Sequence, residues 1–428
     1  MATEPRRHLT RREFLRRLGL LGGAALGTAA GLAGRRWWEW APHPAEPSTP
    51  EPLPQWAVEA RYYAALNMVE SLDCAACHGD IETPAPVSYC HTPHTGAFVQ
   101  CQLCPHKCVL ADGERGLCRA RENRGGVLYS LSYGNPCAIH VDPIEKKPLF
   151  HFLPTATAFS LATGGCALRC LYCQNWTISQ TPPDQTEFVW LPPDAVVSAA
   201  LESQAPVIAY TYSEPTAFYE YMLDSALAGR RAGLRSVVIS SGYINEAPLR
   251  ELCETVDAIK IDLKGFNEDF YQKVCGAHLD PVLNTLRVIA GMGVHLEIVN
   301  LVVPTLNDAD DDLRALVDWV LDALGADVPL HFTRFQPNYK LTNVPATPVE
   351  TLTAAWEMAR ARGVRYAYVG NVPGHAGNHT YCPACGEIVI QREGFAVTAY
   401  HLKDGACEFC GQAIAGIWQD ASGQNATG

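Results

Sequence analysis

The feature that most constrains the fold is an alternation of short apolar runs with helical segments between about residues 206 and 369. One helical segment repeats leucine and valine at the spacing of a single helical face from Leu313 to Leu324, and Gly325 follows it as a stop signal. Strands that alternate with helices predict a parallel sheet covered by helices. Because polar residues follow the apolar runs, the pattern predicts a functional site at the carboxyl ends of the strands.

Three cysteines precede this alternation at C-x3-C-x2-C spacing: Cys166, Cys170 and Cys173. Three thiolates can ligate three irons of a [4Fe-4S] cubane, which leaves the fourth iron open to another ligand. A zinc knuckle or a disulfide pair is the alternative. The neighbouring Gly165 and the aromatic Tyr172 inside the motif favour the cluster.

This cysteine segment resembles the radical S-adenosylmethionine superfamily. The resemblance implies an α/β fold with a partial (β/α) barrel. It also implies that S-adenosylmethionine binds the open iron and is cleaved by one electron to methionine and a 5′-deoxyadenosyl radical. The segments YEYM, SSGYIN, DAIKIDLKGF, FYQKVCGA, FQPNYKL and VGNVPGH further resemble the AmmeMemoRadiSam group, which is related to the pyruvate formate-lyase-activating enzymes.

The resemblance also implies which residues contact S-adenosylmethionine. Glu214, in TYSEPT, takes the place of the carboxylate in the family's GGEP motif, and Tyr212 and Ser213 replace its two glycines. In that motif, backbone oxygens and the carboxylate hold the amino group.

Further contacts are expected from the cysteine loop and from residues at strand ends: Tyr172, Ser240, Asp262, Lys264 and Asn300. By resemblance, Tyr172 and Asn300 lie near the adenine, and the other three contact the ribose and the methionine part. An ordinary ion pair at a strand end is the alternative for Asp262 and Lys264.

A second cysteine set lies upstream at C-x2-C-x3-C-x9-C spacing: Cys101, Cys104, Cys108 and Cys118. Four thiolates within this short stretch are a complete ligand set for zinc or for a second iron–sulfur cluster, and the sequence does not choose between them. Gly113 and Gly116 supply the turns that bring the last cysteine back. Two disulfides or a free-thiol loop are the alternatives.

A third set consists of two C-x2-C pairs, each followed by glycine: Cys382, Cys385, Cys407 and Cys410. The pairs predict a zinc-ribbon or rubredoxin-like knuckle with strands at residues 388–391 and 395–402. Zinc would make this unit structural, whereas iron would make it an electron donor to the main cluster. Structural zinc is the favoured reading because it is the common use of such ribbons.

The sequence CAACH supplies a fourth pattern through Cys74, Cys77 and His78. C-x-x-C-H is the attachment motif of a c-type haem, with His78 as an axial ligand. The pattern is short, and a further metal knuckle completed by Cys90 is the alternative.

The N-terminus resembles an export signal, because Arg11 and Arg12 precede Phe14-Leu15 and an apolar run rich in glycine and alanine. We expect a protein exported by the twin-arginine pathway, or anchored to the membrane through this segment. A cytoplasmic protein with a basic tail is the alternative. Prolines then form a stiff linker.

These patterns divide the chain into six parts: a signal or anchor at 1–40, a proline-rich linker at 41–56, an N-terminal cysteine-rich domain at 57–150, the barrel at 151–375, the ribbon at 376–418 and a tail at 419–428.

Composition bears on the function classes. The net charge is −12, and the N-terminal segment carries an excess of arginine, so the remainder is more acidic still and a nucleic-acid partner is not expected. The expected function is a radical enzyme that needs a low-potential electron donor and acts on a partner protein, as an activase does, or on a small molecule. Export would separate the protein from cytoplasmic S-adenosylmethionine, so the alternative is an exported electron carrier with iron–sulfur and haem centres.

Overall fold

Two small antiparallel sheets form the N-terminal part of the described chain. The structure is a computed structural model that describes residues 52–66 and 97–419. The first sheet has the order β1-β6-β5 and the second the order β2-β3-β4. Their strands are β1 Val58–Glu59, β2 Tyr63–Leu66, β3 Phe98–Cys101, β4 Val109–Leu110, β5 Arg121–Arg124 and β6 Val127–Ser130.

An eight-stranded sheet forms the centre of the fold, and its strands lie side by side in chain order. They are β7 Ala138–Pro143, β8 Thr157–Ala162, β9 Val207–Tyr210, β10 Arg235–Ser240, β11 Ala258–Asp262, β12 His295–Val302, β13 Leu330–Arg334 and β14 Ala367–Gly370. Strands β8 to β14 are parallel, and β7 pairs with β8 in the antiparallel sense.

Helices connect the parallel strands. They are α1 Trp176–Ser179, α2 Pro193–Glu202, α3 Tyr219–Arg231, α4 Glu246–Thr255, α5 Glu268–Phe270, α6 Leu279–Met292, α7 Asp310–Leu324 and α8 Val349–Arg362. Right-handed crossovers between strands that are neighbours in sequence place the helices on one face of the sheet, so the sheet curves away from them. Strands β7 and β14 end the sheet without pairing to each other. The predicted partial barrel is therefore confirmed.

Side chains of one strand point alternately to the helix-covered face of the sheet and to the barrel interior. In β11, Ile259 and Ile261 belong to the large apolar core that the helices cover. The intervening Ala258 belongs to a smaller apolar cluster inside the barrel, near its amino end. Lys260 and Asp262 follow on the same inner face, because side chains two residues apart share a face. The barrel interior thus changes from apolar to charged towards the carboxyl edge.

Helix α7 illustrates how periodicity fixes an element. Leu313, Leu316, Val317 and Val320 are buried in the core, as their spacing predicts. Gly325 caps the helix with φ of +93°, a conformation that glycine adopts without strain. The predicted helix and its stop are both confirmed.

Other boundaries differ from the sequence-based expectation. The central sheet begins at Ala138, upstream of the position at which we placed the start of the barrel. A 3₁₀ turn, Pro215–Phe218, precedes α3, which begins at Tyr219. Pro215 opens this turn, where its missing N–H is not needed.

The C-terminal part forms small antiparallel sheets of its own. Its strands are β15 Thr380–Tyr381, β16 Ile388–Glu393, β17 Ala396–Tyr400, β18 Leu402–Lys403 and β19 Ala406–Cys407. The two strands expected here are present, although the second ends at Tyr400 and Phe395 lies in the turn before it. Arg392 fastens this unit to the barrel by donating a hydrogen bond to the carbonyl of Phe150 (2.8 Å). Within the unit it also donates to the hydroxyl of Thr380 (2.9 Å).

Several sequence-based predictions lie outside the described residues. These are the twin-arginine segment, most of the linker, the CAACH motif and nearly all of the tail. Within residues 52–66 and 97–419, no helix has the length and apolar character required to cross a membrane.

Candidate active site

The three-cysteine loop follows β8 and therefore lies at the carboxyl edge of the parallel strands. The loop is held to the π-helical turn Tyr271–Cys275 by two backbone hydrogen bonds. The N–H of Arg169 donates to the carbonyl of Cys275 (2.8 Å), and the N–H of Leu171 donates to the carbonyl of Val274 (2.9 Å). The barrel thus holds the loop at two backbone positions.

The three thiols have different electrostatic surroundings. Burial and the negative charge of Glu214 raise the pKa of Cys166. A hydrogen bond from Cys275 lowers the pKa of Cys170, and Lys264 acts in the same direction against the effect of burial. The Sγ of Cys173 lies 3.2 Å from the hydroxyl of Ser179. The thiolate is the form of each cysteine that binds metal.

Glu214 organises the loop between β9 and α3. Its buried carboxylate accepts hydrogen bonds from the hydroxyls of Ser240 (2.7 Å) and Ser241 (2.6 Å). It also accepts from the backbone N–H of Ser241 (3.0 Å) and from the N–H and hydroxyl of Thr216 (3.2 and 3.0 Å). Five donors occupy the acceptor sites of one carboxylate. The arrangement makes Glu214 the anchor that fixes the strand ends of β9 and β10 relative to each other.

Tyr212 takes the place of a glycine of the family motif and keeps a glycine-like backbone. Its φ is +62°, which is rare for a residue with a large side chain. Its carbonyl accepts a hydrogen bond from the amide of Asn175 (2.7 Å), and its hydroxyl bonds to Asp142 and to the ammonium group of Lys147 (3.1 Å). These bonds offset the cost of the left-handed conformation, which is roughly 1–3 kcal/mol.

Asp262 and Lys264 lie at the end of β11, as predicted, together with Lys260. The carboxylate of Asp262 pairs with the ammonium groups of Lys260 and Lys264, the second at 3.2 Å. Burial works against ionisation of Asp262, but the two lysines outweigh it and lower its pKa to about 2. Asp262 is therefore a permanent anion at the carboxyl edge, beside Cys170, whose ionisation it opposes.

The two residues assigned to the adenine lie in different surroundings. Tyr172 is buried and its ring lies between those of Phe270 and Phe335, at 6.1 and 6.4 Å. Asn300 is fully buried, and its amide donates to the carbonyl of Leu263 (2.8 Å). The strand alternation of β12 puts Asn300 on the face that packs under the helices. Their roles stay predictions.

Two residues near the loop were missed by sequence reasoning. Cys275 lies with its thiol 3.6 Å from the hydroxyl of Tyr172 and interacts with Cys170. No spacing rule links it to the other cysteines, so only the π-helical turn brings it there. Lys260 could have been found, because in AIKID it stands two residues before Asp262 and therefore on the same face of the strand.

The C-terminal cysteines converge on one point. Their four Sγ atoms all lie within 4.8 Å of one another, with Cys382 and Cys410 at 3.5 Å and Cys385 and Cys407 at 3.8 Å. Four sulfurs around one zinc at about 2.3 Å would be about 3.8 Å apart, so the set fits a single metal ion. The positive φ of Gly386 and Gly411, +78° at both, shows that the glycines make the knuckle turns as predicted.

The other two cysteine sets are more widely spaced. In the described part of the chain, three or more potential metal ligands come within 4.8 Å of one another only at the C-terminal set. The four N-terminal cysteines nevertheless line one cavity. Wide spacing is what a cubane requires, because each thiolate binds a different iron. The Cys166–Cys173 loop therefore fits the cluster expected there. Asp262 and Lys264 offer charges opposite to the ammonium and carboxylate groups of S-adenosylmethionine.

Comparisons with known proteins relate the chain to one superfamily. The model of the Radical SAM superfamily matches residues 160–320. MJ0808, an uncharacterized protein of Methanocaldococcus jannaschii, is 49% identical over 318 residues, which cover 74% of this chain and 95% of that protein. The pyruvate formate-lyase 1-activating enzyme of Escherichia coli is 24% identical over 218 residues, or 48% of this chain and 86% of that enzyme. The crystal structure of Streptococcus suis SuiB bound to precursor peptide SuiA aligns with a TM-score of 0.42 at 11% identity, over 54% of this chain and 52% of that one.

A helix-covered parallel sheet with three thiols at its carboxyl edge and a matching family model defines a radical S-adenosylmethionine enzyme. The chain belongs to the radical SAM superfamily, and within it to the same family as the uncharacterized MJ0808. Its relation to the pyruvate formate-lyase-activating enzymes is distant.

Proposed function

We propose that this enzyme cleaves S-adenosylmethionine reductively and uses the resulting radical to abstract hydrogen from a partner protein. The observation that carries the proposal is the convergence of three thiols with a pre-formed charged set at one edge of the barrel. Glu214 acts electrostatically on Cys166, and Lys264 acts on Cys170. A [4Fe-4S] cluster held by these cysteines would supply one electron to the sulfonium, giving methionine and a 5′-deoxyadenosyl radical.

The surrounding residues would orient the bound S-adenosylmethionine. Asp262 stays ionised across the physiological range, and Lys264 stays charged because Asp262 and Cys170 oppose the effect of burial on its pKa. A fixed anion and a fixed cation suit the ammonium and carboxylate ends of the methionine part. Glu214, whose carboxylate already has five donors, acts by holding Ser240 and Ser241 in place.

An exposed aromatic rim supports a macromolecular substrate. Trp176, 42% exposed, stacks on Tyr339 with ring centroids 5.1 Å apart. The N–H of Lys340 donates to the carbonyl of Leu171 (2.9 Å), so this rim adjoins the cysteine loop. Exposed aromatic side chains are common anchors for polypeptides. The distant relation to activating enzymes agrees with such a substrate, and an unknown small molecule is the competing one.

The test of the cleavage step is formation of 5′-deoxyadenosine by anaerobically reconstituted protein. We expect the Cys170→Ala variant to lose this activity, because the cluster loses one of three ligands. Cys253→Ala is the matched control, since Cys253 is a buried thiol of α4 outside every cysteine set. Unchanged product formation by Cys170→Ala would refute the cleavage proposal.

The substrate class needs a separate experiment. With candidate partner proteins present, hydrogen abstraction from a protein should give a protein-based radical signal and one 5′-deoxyadenosine per event. Replacement of Trp176 by alanine should weaken the protein-based radical signal obtained with the partner protein. It should not change the cleavage of S-adenosylmethionine when the partner is left out. An unchanged protein-based radical signal in Trp176→Ala would argue against docking of the partner at this rim.

We also propose that the N-terminal segment exports or anchors the protein. Arg11 and Arg12 precede an apolar segment, which is the order that the twin-arginine pathway requires. Replacing both with lysine should leave the protein in the cytoplasm, and cell fractionation measures this. Equal cytoplasmic recovery of the wild type and the variant would refute export, and would also weaken the haem assignment of Cys74, Cys77 and His78.

A further inference from the structure

We infer that Cys101, Cys104, Cys108 and Cys118 hold a second iron–sulfur cluster, which passes electrons to the cluster of the barrel loop. The electron-transfer role rests on the proposed function. The presence of the cluster does not. The sequence alone allows either zinc or an iron–sulfur cluster at these four cysteines.

The four thiols face one common space. They line a cavity whose wall also includes the apolar side chains of Leu103 and Ala217. Gly116 stands between two of the thiols, because a Cβ there would lie 3.7 and 3.8 Å from the sulfurs of Cys108 and Cys118. A bulkier residue would reduce the space that the sulfurs share. Four convergent thiols with an apolar wall are typical of a buried metal centre.

The spacing of the thiols distinguishes a cluster from a single ion. In the C-terminal ribbon the sulfurs are as close as one zinc requires. Among residues 97–419, no such close group includes a cysteine of the N-terminal set. In this respect the N-terminal set matches the barrel loop, which the superfamily uses for a cubane. Four protein ligands would also leave no iron open, as in a carrier of electrons.

A buried cation lies beside the proposed cluster. The guanidinium of Arg121 pairs with the carboxylate of Glu220 at 2.7 and 3.0 Å, and both side chains are buried. The thiols of Cys101 and Cys118 are near enough to act on Arg121 electrostatically. Charged groups near an iron–sulfur cluster are among the factors that set its reduction potential.

The second site touches the barrel loop directly. The imidazole Nε2 of His106 lies 3.1 Å from the carbonyl of Ala167, the residue after Cys166. A Cβ on Gly165 would lie 2.6 Å from the carbonyl oxygen of Cys118, so the two backbones meet with no side chain between them. Cys118, a ligand of the second site, thus contacts Gly165, the residue directly before Cys166 of the barrel loop.

The second site can be reached from outside the protein. Cys108 and Cys118 are partly exposed, as Cys166 and Cys173 of the barrel loop are, and Leu117 beside the second site is 39% exposed. A one-electron donor protein that carries a reduced flavin or iron–sulfur centre can approach this side. One electron enters the second cluster and the same electron leaves it for the barrel cluster. No bond forms or breaks and no proton moves in this step.

Metal analysis tests the cluster independently of activity. In the full chain carrying Cys166→Ala, Cys170→Ala and Cys173→Ala, reconstituted anaerobically, we expect about four irons and four sulfides to remain, as one cubane holds. Its reduced EPR signal should not change when S-adenosylmethionine is added. Adding Cys104→Ser and Cys118→Ser should remove these irons, whereas adding Cys385→Ser and Cys410→Ser should not. The inference would be overturned if the triple variant bound zinc in place of iron. It would also be overturned if Cys385→Ser and Cys410→Ser removed the remaining iron.

A second measurement guards against misfolding of the triple variant. The wild type should bind about eight irons in two spectroscopically distinct cubanes, of which only one responds to S-adenosylmethionine. A single cubane in folded wild type would overturn the inference.

Kinetics test the relay. We compare the rate of 5′-deoxyadenosine formation driven by a reduced donor protein with the rate driven by dithionite, which is small enough to reach the barrel cluster itself. Cys104→Ser should lower the ratio of the two rates at least tenfold, and Cys253→Ser should leave the ratio unchanged. An unchanged ratio in Cys104→Ser would overturn the relay. Absence of cleavage in wild type that holds both clusters would instead count against the proposed function.

Discussion

The N-terminal and C-terminal cysteine sets use the same four ligands and differ in what builds them. The C-terminal ribbon makes its site from its own two knuckles, and two of its cysteines, Cys385 and Cys410, are exposed. The N-terminal set depends on the barrel, whose residue Asn245 donates from its amide to the carbonyls of Gln102 (2.6 Å) and Cys104 (3.1 Å). On the assignments that we propose, spacing and surroundings, more than ligand count, separate a structural metal site from an electron-transfer site.

Loss of the ribbon metal should have the largest effect on stability. Metal binding supplies the folding free energy of such small units, about 10 kcal/mol or more in isolated peptides. Cys407→Ser removes a buried ligand. We expect zinc loss and rapid proteolysis of residues 380–419, with iron retained in the other two sets. Metal analysis and limited proteolysis measure this, with Cys253→Ser as the control. A ribbon that resists protease without metal would make the two sets more alike than we propose.

Breaking the ion pair under the N-terminal set should be the next largest effect. Arg121→Met leaves Glu220 buried without its main partner, which costs about 3–5 kcal/mol. The double variant Arg121→Met, Glu220→Leu should recover most of this loss. Arg314→Met, which removes an exposed pair with Asp310, should cost no more than about 1 kcal/mol. Urea unfolding measures all three, and equal losses in the buried and exposed variants would contradict the prediction.

The contact between the two cluster sites can be tested at Gly165. Gly165→Ala imposes a left-handed alanine, at φ of +101°, and a clash with the carbonyl of Cys118. Gly363→Ala is matched to it, because φ there is +113° and a Cβ would meet nothing within 4 Å. We expect Gly165→Ala to lower the unfolding free energy by about 1–3 kcal/mol more than Gly363→Ala, the usual cost of overpacking. Similar losses of unfolding free energy in the two variants would show that the contact between residue 165 and Cys118 relaxes at little cost.

The smallest expected effect concerns the hydrogen bonds that tie the N-terminal set to the barrel. Asn245→Ala removes two bonds from its side chain and should cost about 1–3 kcal/mol. It should also speed the loss of iron to a chelator without affecting zinc in the ribbon. Gln412→Ala removes one exposed amide–carbonyl bond in the ribbon and should cost less than 1 kcal/mol. Equal chelation rates in Asn245→Ala and wild type would show that the barrel does not hold the set in place.

The sequence predicts what is local and periodic in this protein. The helical face from Leu313 to Val320 and the glycine turns at Gly386 and Gly411 follow from residue chemistry within a few positions, and the structure confirms them. The polar residues at strand ends also follow from the alternation of strands and helices. Such features need no knowledge of distant contacts.

Long-range packing explains what the sequence could not predict. The antiparallel strand β7 joins the sheet only by pairing with β8, and no local signal marks it. Cys275 comes beside Cys170 only through a π-helical turn more than a hundred residues later. The contact of Gly165 with Cys118 joins two loops from different sheets. Register and loop packing of this kind are settled by the assembled core.

Strand β7 is an edge strand, and its residues affect whether copies of the protein aggregate. It ends the central sheet, so its outer edge is a ready template for pairing with a strand of another chain. Val141 on this strand is 48% exposed, which adds to the hazard. Pro143 cannot donate to a new ladder, and the adjacent Lys146, drawn to Asp142 at 2.7 Å, places a charge beside the edge. An open barrel needs such protection, and substitution of Pro143 and Lys146 by apolar strand-formers should turn a monodisperse preparation into an aggregating one.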